Sequence, residues 1–368
     1  MKILILTWRD LAHPQAGGAE EYTEQVARRW AASGHAVTLY ASRVHGRPDE
    51  EVVDGYRIVR RGGRLTVYSC ARRWYREQGR GEFDVVIDMI NTVPFLAHKW
   101  ISDTPVIAHF HQTAEECWRF NAPLPLALVG RYLMEPHWIR SYSGRTVMVV
   151  SKSTAEALGR FGVLNTIILP EGLEPVERPS VAKEARPTIV WMARLVPYKR
   201  PCDLIEAAGI VQLRFPDLQV WIMGGGPLYK KLRANAPAGV EILGRVSEEE
   251  KVNRLARAHV HVATSVREGW GLVVSEAAAL GTPTIAYNSP GLRDSTLAAR
   301  GELCPPVPAA LAAFLIGSLP RLVERRLEIV PYGGAHSWDD VATEMERVVL
   351  NFLRGNDNLT DEIRREDS

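Results

Sequence analysis

Two glutamates flank a glycine-rich turn in the segment 265–283. Glu268 precedes Gly269 and Gly271, and Glu276 follows them inside a helix predicted over residues 272–280. Glycines before a helix N-terminus let the backbone approach an anion, and the free N–H groups there favour a phosphate by about 0.3 to 2 kcal/mol. A carboxylate suits a vicinal diol because it accepts both hydroxyl protons. The segment therefore predicts a phosphate at the turn, with one carboxylate facing a sugar and the other reaching a ribose.

Short apolar runs that alternate with helical patterns predict the strands and helices that position these residues. Strands are predicted at 2–6, 36–40, 56–60, 85–88, 106–110 and 147–150, then at 188–192, 218–223, 241–243, 259–263 and 284–286. Such alternation is typical of βαβ units and parallel sheets. Ligands bind outside the carboxyl ends of such strands, so two sheets predict a site in the cleft between them.

The context of the two glutamates resembles a known signature. They stand at Glu-x7-Glu spacing within Ser-x-x-Glu-Gly-aromatic-Gly-Leu and Glu-Ala-x-Ala-x-Gly-x-Pro. This combination is similar to that of the retaining family-4 glycosyltransferases of the GT-B fold, the glycosyl transferases group 1. The resemblance covers nearly the whole chain, and it is strongest over 188–292 and weakest over 43–145. It implies an α/β fold class, with two doubly wound Rossmann-like domains facing a cleft.

The domain organisation follows from the two series of strands and from the prolines between them. We predict an acceptor-binding domain at 1–172, a linker at 173–187 and a nucleotide-sugar-binding domain at 188–337. The proline-rich, charged stretch without apolar periodicity marks the linker. An amphipathic helix at 338–353 opens the final segment, 338–368, and the resemblance implies that it crosses back onto the first domain.

The resemblance assigns catalytic roles to Glu268, which would orient the donor sugar by its hydroxyls, and to His111, at the end of a strand. His109 lies two residues earlier on the same side of an ideal strand, so the choice between the two histidines stays open. Gln112 departs from the family's usual Asp or Thr.

The resemblance also implies a set of donor-binding residues. Arg194 and Lys199 would bind the diphosphate, each charge-assisted hydrogen bond contributing about 1.5 to 3 kcal/mol. They would also stabilise the leaving group as charge develops. The full set comprises Arg194, Lys199, Glu276, Gly269, Trp270, Gly271, Leu272, Gly17, Gly18, Gly244, Arg245, Val246 and Gly225. Ala193 replaces a family glycine, and Pro290 replaces the first residue of a Gly-Gly pair.

The expected reaction is transfer of a sugar from a nucleoside-diphosphate donor, with a UDP- or GDP-sugar favoured. The acceptor would be a hydroxyl of a natural product, glycolipid or polysaccharide precursor, either hydrophobic or lipid-linked. No Asp-x-Asp motif stands in a matching loop. Because Arg194 and Lys199 can supply the electrostatic stabilisation of a metal, we expect neither an essential metal nor a cofactor.

The composition of the chain limits which classes of function and which locations are expected. A net charge of +2 with pI about 8.3 does not indicate nucleic-acid binding. Four scattered cysteines predict buried free thiols in a reducing compartment. Without a targeting segment or an apolar run of about 18 residues, the expected location is the cytoplasm. A basic, aromatic stretch adds an expectation of peripheral contact at the inner membrane face, through Arg72, Arg73, Trp74, Tyr75, Arg76 and Arg80.

Rival functions share the architecture. A sugar-nucleotide epimerase and a non-catalytic nucleotide-sugar-binding subunit are the alternatives, and both would keep the two-domain fold. A nicotinamide oxidoreductase is disfavoured because neither domain opens with the glycine fingerprint. The later Gly224-Gly225-Gly226 run does not match it either, since the third glycine would fall at Tyr229.

Overall fold

The computed structural model describes residues 1–177, 179–324 and 336–355. The chain divides into two compact units. Of the described residues, the first unit contains 1–115, 124–172 and 336–355, and the second contains 116–123, 173–177 and 179–324. Residues 173–187 belong with the second unit, where Val176 and Val181 pack against its apolar core. The end of the final segment, from residue 356, lies outside the described residues.

The first unit is built around an eight-stranded sheet in the order β3-β4-β2-β1-β5-β6-β7-β8. Its strands are β1 (Lys2–Leu6), β2 (Ala36–Ala41), β3 (Glu50–Val53), β4 (Tyr56–Arg60), β5 (Val85–Asn91), β6 (Val106–Gln112), β7 (Val147–Val149) and β8 (Thr166–Ile168). All neighbours pair in parallel except β3 with β4. The six central strands are those predicted from apolar runs. The edge strands β3 and β8 were not predicted, because β3 is charged and β8 has only three residues.

The helices between residue 1 and residue 172 connect these strands. They are α1 (Gly18–Ala32), α2 (Val67–Trp74), α3 (Trp118–Asn121), α4 (Leu124–Val129), α5 (Glu135–Arg140) and α6 (Lys152–Gly159). Helix α3 lies in the short stretch that belongs to the second unit. In α2 and the turn after it, Trp74 and Tyr75 are buried while Arg72, Arg73 and Arg76 are exposed. The aromatic side chains of the basic stretch are therefore part of the core.

The second unit contains a six-stranded parallel sheet in the order β11-β10-β9-β12-β13-β14. Its strands are β9 (Thr188–Met192), β10 (Gln219–Met223), β11 (Val240–Gly244), β12 (Val260–Ala263), β13 (Thr284–Tyr287) and β14 (Glu302–Cys304). Its helices are α7 (Pro201–Gln212), α8 (Tyr229–Ala234), α9 (Glu248–Arg257), α10 (Leu272–Ala279), α11 (Leu292–Ala298) and α12 (Pro308–Glu324). The first five strands confirm the predicted series. This strand order is that of the doubly wound Rossmann fold.

The terminal helix α13 (Trp338–Leu353) packs within the first unit against α1. The indole Nε1 of Trp30 donates a hydrogen bond of 2.9 Å to the carbonyl oxygen of Ala342. The Trp338 ring lies so close to Gly172 that a Cβ there would be 2.7 Å from it. The prediction that the last helix returns to the first domain is confirmed.

Each sheet changes its direction of growth beside its first strand, between β1 and β5 and between β9 and β12. The loops that follow the two strands at such a switch separate, one to each face of the sheet, and leave a crevice at their carboxyl ends. In the second unit those loops carry Arg194 and Lys199 after β9, and Glu268 after β12. The strand order thus brings together residues that are about seventy positions apart in the sequence.

Among the described residues, no helix is long and apolar enough to cross a membrane. All four cysteines are free. Cys117 and Cys304 are buried as predicted, but Cys202 is exposed and Cys70 is half-buried, so the expectation of four buried thiols was wrong for these two. Burial raises the pKa of the Cys117 and Cys304 thiols to about 12, which leaves little thiolate at neutral pH.

Candidate functional site

A close ion pair occupies the switch point of the second sheet. Lys199 Nζ donates to Glu268 Oε1, and the hydroxyl of Ser265 donates to the same oxygen at 2.6 Å. The two charged side chains are 13% and 17% exposed, so they are largely shielded from water but can still be reached by a ligand. The structure therefore joins two residues that the sequence assigns to the diphosphate and to the sugar.

Hydrogen bonds hold the two loops against each other. Thr264 accepts from the indole of Trp191 at 2.9 Å, and its hydroxyl lies 2.8 Å from the carbonyl oxygen of Lys199. The amide of Val266 donates to the carbonyl oxygen of Tyr198 at 2.9 Å. These contacts fix the backbone on both sides of the ion pair, so the site is largely formed before any ligand arrives.

The backbone packs so closely after β10 that the run of three glycines is required there. Gly224 has φ +134°, and a Cβ there would lie 1.9 Å from the carbonyl oxygen of Ala193. Gly226 has φ +155° and would meet the carbonyl oxygen of Leu195 at 2.5 Å. A Cβ at Gly225 would instead meet the flexible side chain of Arg245 at 2.9 Å. The run lets the β9 loop carry its cations close to the sheet.

The turn before α10 also depends on glycine. Gly271 precedes the first residue of α10, Leu272, with φ +101°, a conformation that residues with a side chain rarely adopt. Trp270 donates its indole N–H to Ser275 at 3.1 Å, which ties the turn to the helix that follows it. Gly269 lies between Glu268 and this tryptophan. The first turn of α10, at which a phosphate is predicted to bind, follows directly.

Glu276 is held by a lysine that the sequence analysis did not identify. Lys251, on α9, donates to Glu276 Oε1 at 3.0 Å and to Glu248 Oε1 at 2.5 Å. Burial alone would lower the pKa of Lys251, but the two carboxylates outweigh burial and raise it, so the ammonium stays charged. The pair Glu248–Lys251 is visible in the sequence as an i,i+3 contact on one helix. Its extension to Glu276 requires the tertiary packing of α9 beside α10.

A tyrosine stands between the two predicted diphosphate ligands. The hydroxyl of Tyr198 accepts from Arg194 Nη2 at 2.5 Å, and its ring centroid lies 5.5 Å from Lys199 Nζ. Tyr198 therefore orients one cation by a hydrogen bond and contacts the other through its ring face. It follows Pro197 in the turn that carries Lys199, and its role was not predicted.

The loop after β11 carries the remaining predicted residues of this unit. Gly244 has φ +76° and lies under the ring of Tyr229, which a Cβ would meet at 3.0 Å. Val246 packs on the edge of the apolar core, and Arg245 is exposed. Gly244, Arg245 and Gly225 are therefore adjacent, as their common assignment to donor binding requires.

A second ion pair borders Glu268. Arg267, with a side chain only 5% exposed, donates to Glu116 Oε2 at 3.0 Å. Glu116 belongs to the short stretch 116–123 of the second unit. This contact was not predicted because the two residues are 151 positions apart.

The first unit places both candidate histidines in one buried cluster. His109 and His111 lie on the same side of β6 with ring centroids 4.8 Å apart, and Tyr22 lies 4.7 Å and 5.3 Å from them. Among the described residues, neither imidazole nor the Tyr22 hydroxyl finds a hydrogen-bond partner. Burial lowers the pKa of His111 to about 3. Burial, and after it the neighbouring imidazole of His111, holds the pKa of His109 well below its ordinary value. Both rings are therefore neutral, and the structure does not choose between them.

Gly17 and Gly18 lie at the start of α1. The amide of Gly17 donates to Glu20 Oε2 at 2.7 Å, which confirms the interpretation of Glu20 as a helix-capping residue. Glu20 also forms a buried ion pair with Arg9 at 2.9 Å, which was not predicted. Within residues 1–177, 179–324 and 336–355, no group of three or more His, Cys, Asp or Glu side chains is placed to hold a metal ion.

Family comparisons match both units. A model described as Glycosyltransferase Family 4 matches residues 16–175, and one described as Glycosyl transferases group 1 matches residues 174–319. The chain belongs to the family-4 glycosyltransferases and has their GT-B fold of two Rossmann-like domains. It is a glycosyltransferase, and the epimerase alternative is not supported by its relatives.

Individual relatives agree with this assignment. A phosphatidyl-myo-inositol mannosyltransferase of Mycobacterium tuberculosis is 26% identical over 373 residues, which cover 90% of this chain and 92% of that protein. A GDP-mannose-dependent alpha-(1-6)-phosphatidylinositol monomannoside mannosyltransferase of the same organism is 26% identical over 94% of this chain and 96% of that protein. The solved structure of sucrose-phosphate synthase from Thermosynechococcus elongatus superimposes with a TM-score of 0.77 at 18% identity, over 96% of this chain and 99% of that one.

Proposed function

We propose that the second unit binds a nucleoside-diphosphate sugar and that the enzyme transfers the sugar with retention of its anomeric configuration, without an essential metal. The Lys199–Glu268 ion pair at the switch point carries the proposal. A cation suited to a diphosphate and a carboxylate suited to sugar hydroxyls lie in contact at the place where a doubly wound sheet binds its ligands.

Donor binding then requires an exchange of partners. The diphosphate takes the ammonium of Lys199 and the guanidinium of Arg194, and the first turn of α10 contributes N–H groups. Glu268, released from Lys199, accepts hydrogen bonds from the hydroxyls of the sugar. Because one ion pair is replaced by another, the donor need not neutralise an unpaired buried charge.

In this proposal Glu276 binds the ribose. Lys251 donates to Glu276 Oε1 at 3.0 Å, and a carboxylate can accept both hydroxyl protons of a vicinal diol. The Lys251 ammonium orients the carboxylate that would accept these hydrogen bonds.

Transfer proceeds on the face from which the diphosphate leaves. The bond between the anomeric carbon and the diphosphate oxygen breaks as the acceptor oxygen bonds to the same carbon, and the acceptor proton passes to the leaving diphosphate. Arg194 and Lys199 stabilise the negative charge that develops, which is the task that a metal would otherwise perform. His111, the histidine proposed to contact the sugar, would do so as a neutral imidazole.

The donor base and the acceptor are proposed from the relatives' names. One relative is described as GDP-mannose-dependent, and two act on phosphatidylinositol or its mannoside. We therefore favour GDP over UDP in the donor, and a hydroxyl of a hydrophobic or lipid-linked molecule as the acceptor. No cofactor is proposed.

Calorimetric titration with GDP, UDP, dTDP and ADP tests the donor class. We expect selective binding of one diphosphate, weakened about tenfold to a hundredfold by Glu276→Ala, since each charge-assisted hydrogen bond contributes about 1.5 to 3 kcal/mol. Glu249→Ala, an exposed glutamate on α9, is the matched control. Equal affinity in wild type and Glu276→Ala would remove Glu276 from the site. Binding followed by slow hydrolysis of the sugar donor separates the enzyme from a non-catalytic binding subunit.

A further inference from the structure

A short stretch of the sequence lies inside residues 1–172 but belongs to the second unit. It comprises residues 116–123 and includes helix α3. Its first residue, Glu116, forms an ion pair with Arg267, which immediately precedes Glu268 in the loop after β12. The stretch therefore contacts the loop that carries the carboxylate proposed to bind the donor sugar.

The ion pair shields a buried cation. Nε and Nη2 of Arg267 both donate to Glu116 Oε2, at 3.1 Å and 3.0 Å. The side chain of Arg267 is 5% exposed, whereas that of Glu116 is 38% exposed. A guanidinium that is removed from water is costly unless a carboxylate compensates its charge. Glu116 supplies such a carboxylate and so stabilises the conformation in which Arg267 is buried.

The next residue along the chain, Cys117, also lies near the donor site. Burial is the main cause of the raised pKa of its thiol. Smaller effects on the same pKa come from the charges of Arg267, Glu268 and Lys199. Because electrostatic effects weaken with distance, Cys117 lies close to both members of the Lys199–Glu268 ion pair. The beginning of the stretch is therefore beside the candidate site and not at a remote surface.

The loop that carries Arg267 is closely packed. The amide of Glu268 donates to the carbonyl oxygen of Pro290 at 3.0 Å. A Cβ at Gly291 would lie 2.2 Å from the carbonyl oxygen of Glu268. Since there is so little free space, a movement that brings Arg267 into water must displace Glu268 as well.

We infer that Glu116 is a positioning residue for the transfer reaction and acts through Arg267 on the carboxylate of Glu268. The inference rests on the proposed function, because it requires that Glu268 binds the donor sugar. The diphosphate is bound by other residues, Arg194 and Lys199. Loss of Glu116 should therefore slow the reaction at the sugar without weakening the binding of the nucleoside diphosphate.

Hydrolysis of the sugar donor tests the inference without an acceptor. The probes are GDP-mannose, UDP-glucose, dTDP-glucose and ADP-glucose, and the variants are compared on the donor that the wild type hydrolyses fastest. We expect Glu116→Gln to lower kcat by about tenfold to a hundredfold, since misplacement of a reacting group by about 1 Å can cost this much. The Kd of the matching nucleoside diphosphate, measured by calorimetry, should not increase.

The matched control is Glu115→Gln, the same change one residue earlier, on a carboxylate that pairs with Arg160 at 2.6 Å. It should keep the kcat of the wild type. Binding of the nucleoside diphosphate shows that each variant is folded.

A double-mutant cycle shows whether Glu116 acts through Arg267. In the Arg267→Gln background, Glu116→Gln should have no further effect on kcat, because the guanidinium that it holds is absent. If Arg267→Gln does not fold, Arg267→Lys takes its place, since it keeps the charge but loses the fork of donors, and the effect of Glu116→Gln should then be smaller than in the wild type.

The possible results separate this inference from the proposed function. Hydrolysis at the wild-type rate by Glu116→Gln, or an equal effect of that change in both backgrounds, overturns this inference alone. A Kd that rises as kcat falls also overturns it, because it shows a general loss of the site. A wild type that hydrolyses none of the four donors overturns the proposed function and this inference with it.

Discussion

The two units present opposite electrostatic environments to a ligand. In the second unit Lys199, Glu268, Lys251 and Glu276 are charged and already paired with one another. In the first unit His109, His111 and Tyr22 are neutral, buried and without hydrogen-bond partners among the described residues. A charged ligand enters the second site by exchanging ion-pair partners. The first cluster suits only a neutral polar group, because a phosphate would gain no compensating charge there.

Replacing Glu268 should give the largest effect and is the sharpest test of partner exchange. Glu268→Gln keeps the size of the side chain but removes its charge. We expect kcat to fall by about a hundredfold to a thousandfold, which is typical when one electrostatic contact that stabilises the transition state is removed. Affinity for the nucleoside diphosphate should stay equal or increase, because Lys199 no longer has a competing partner.

Steady-state kinetics and calorimetry on the same preparation measure the two quantities, with Glu249→Gln as the control. A diphosphate affinity that falls in parallel with kcat would show that Glu268 supports phosphate binding. It would also break the proposed division between the phosphate and sugar ligands.

The neutral histidine cluster predicts a pH dependence of stability. Because the pKa of His111 is about 3 in the folded state and about 6.5 when unfolded, the unfolded state binds more protons between these values. The contribution of each such histidine to the free energy of unfolding is therefore complete above about pH 6.5. Below that pH it decreases by about 1.4 kcal/mol per pH unit. His111→Gln should reduce the slope of unfolding free energy against pH by about one proton.

Urea unfolding at a series of pH values between about 4 and 7 measures this slope, and the exposed His45→Gln provides the control. The slope can be compared even if the substitution lowers stability at every pH. If His111→Gln leaves the slope unchanged, His111 is protonated in the folded protein, and the contrast between a neutral and a charged site fails.

The smallest expected effect comes from replacing Lys251, which tests whether this lysine positions Glu276. Lys251→Met should raise KM for the donor by about tenfold with little change in kcat, because the carboxylate remains but loses its orienting hydrogen bond. Lys251→Arg should restore most of the affinity. Lys230→Met, on an exposed position of α8, is the control. A fall in kcat without a change in KM would place Lys251 in the chemical step.

Several structural features could be predicted from the sequence because their signals are local. The apolar runs of β1, β9 and β10 and the amphipathic pattern of α13 gave nearly correct boundaries. The glycines and glutamates of the segment 265–283 pointed to a ligand-binding turn. Features without such a signal were missed, among them the charged edge strand β3 and the three-residue strand β14. Strands this short or charged are recognised only by their pairing partners.

The sequence alone determined the chemical types of the site residues and the strand–turn–helix units that carry them, because these depend on local backbone preferences and apolar periodicity. The tertiary structure decided which side chains meet. Lys199 reaches Glu268 and Lys251 reaches Glu276 only because β12 lies beside β9 and α9 packs near α10. It also decided that the aromatic side chains of the basic stretch are buried while the leucines of α4 are exposed, since burial depends on what packs against a helix.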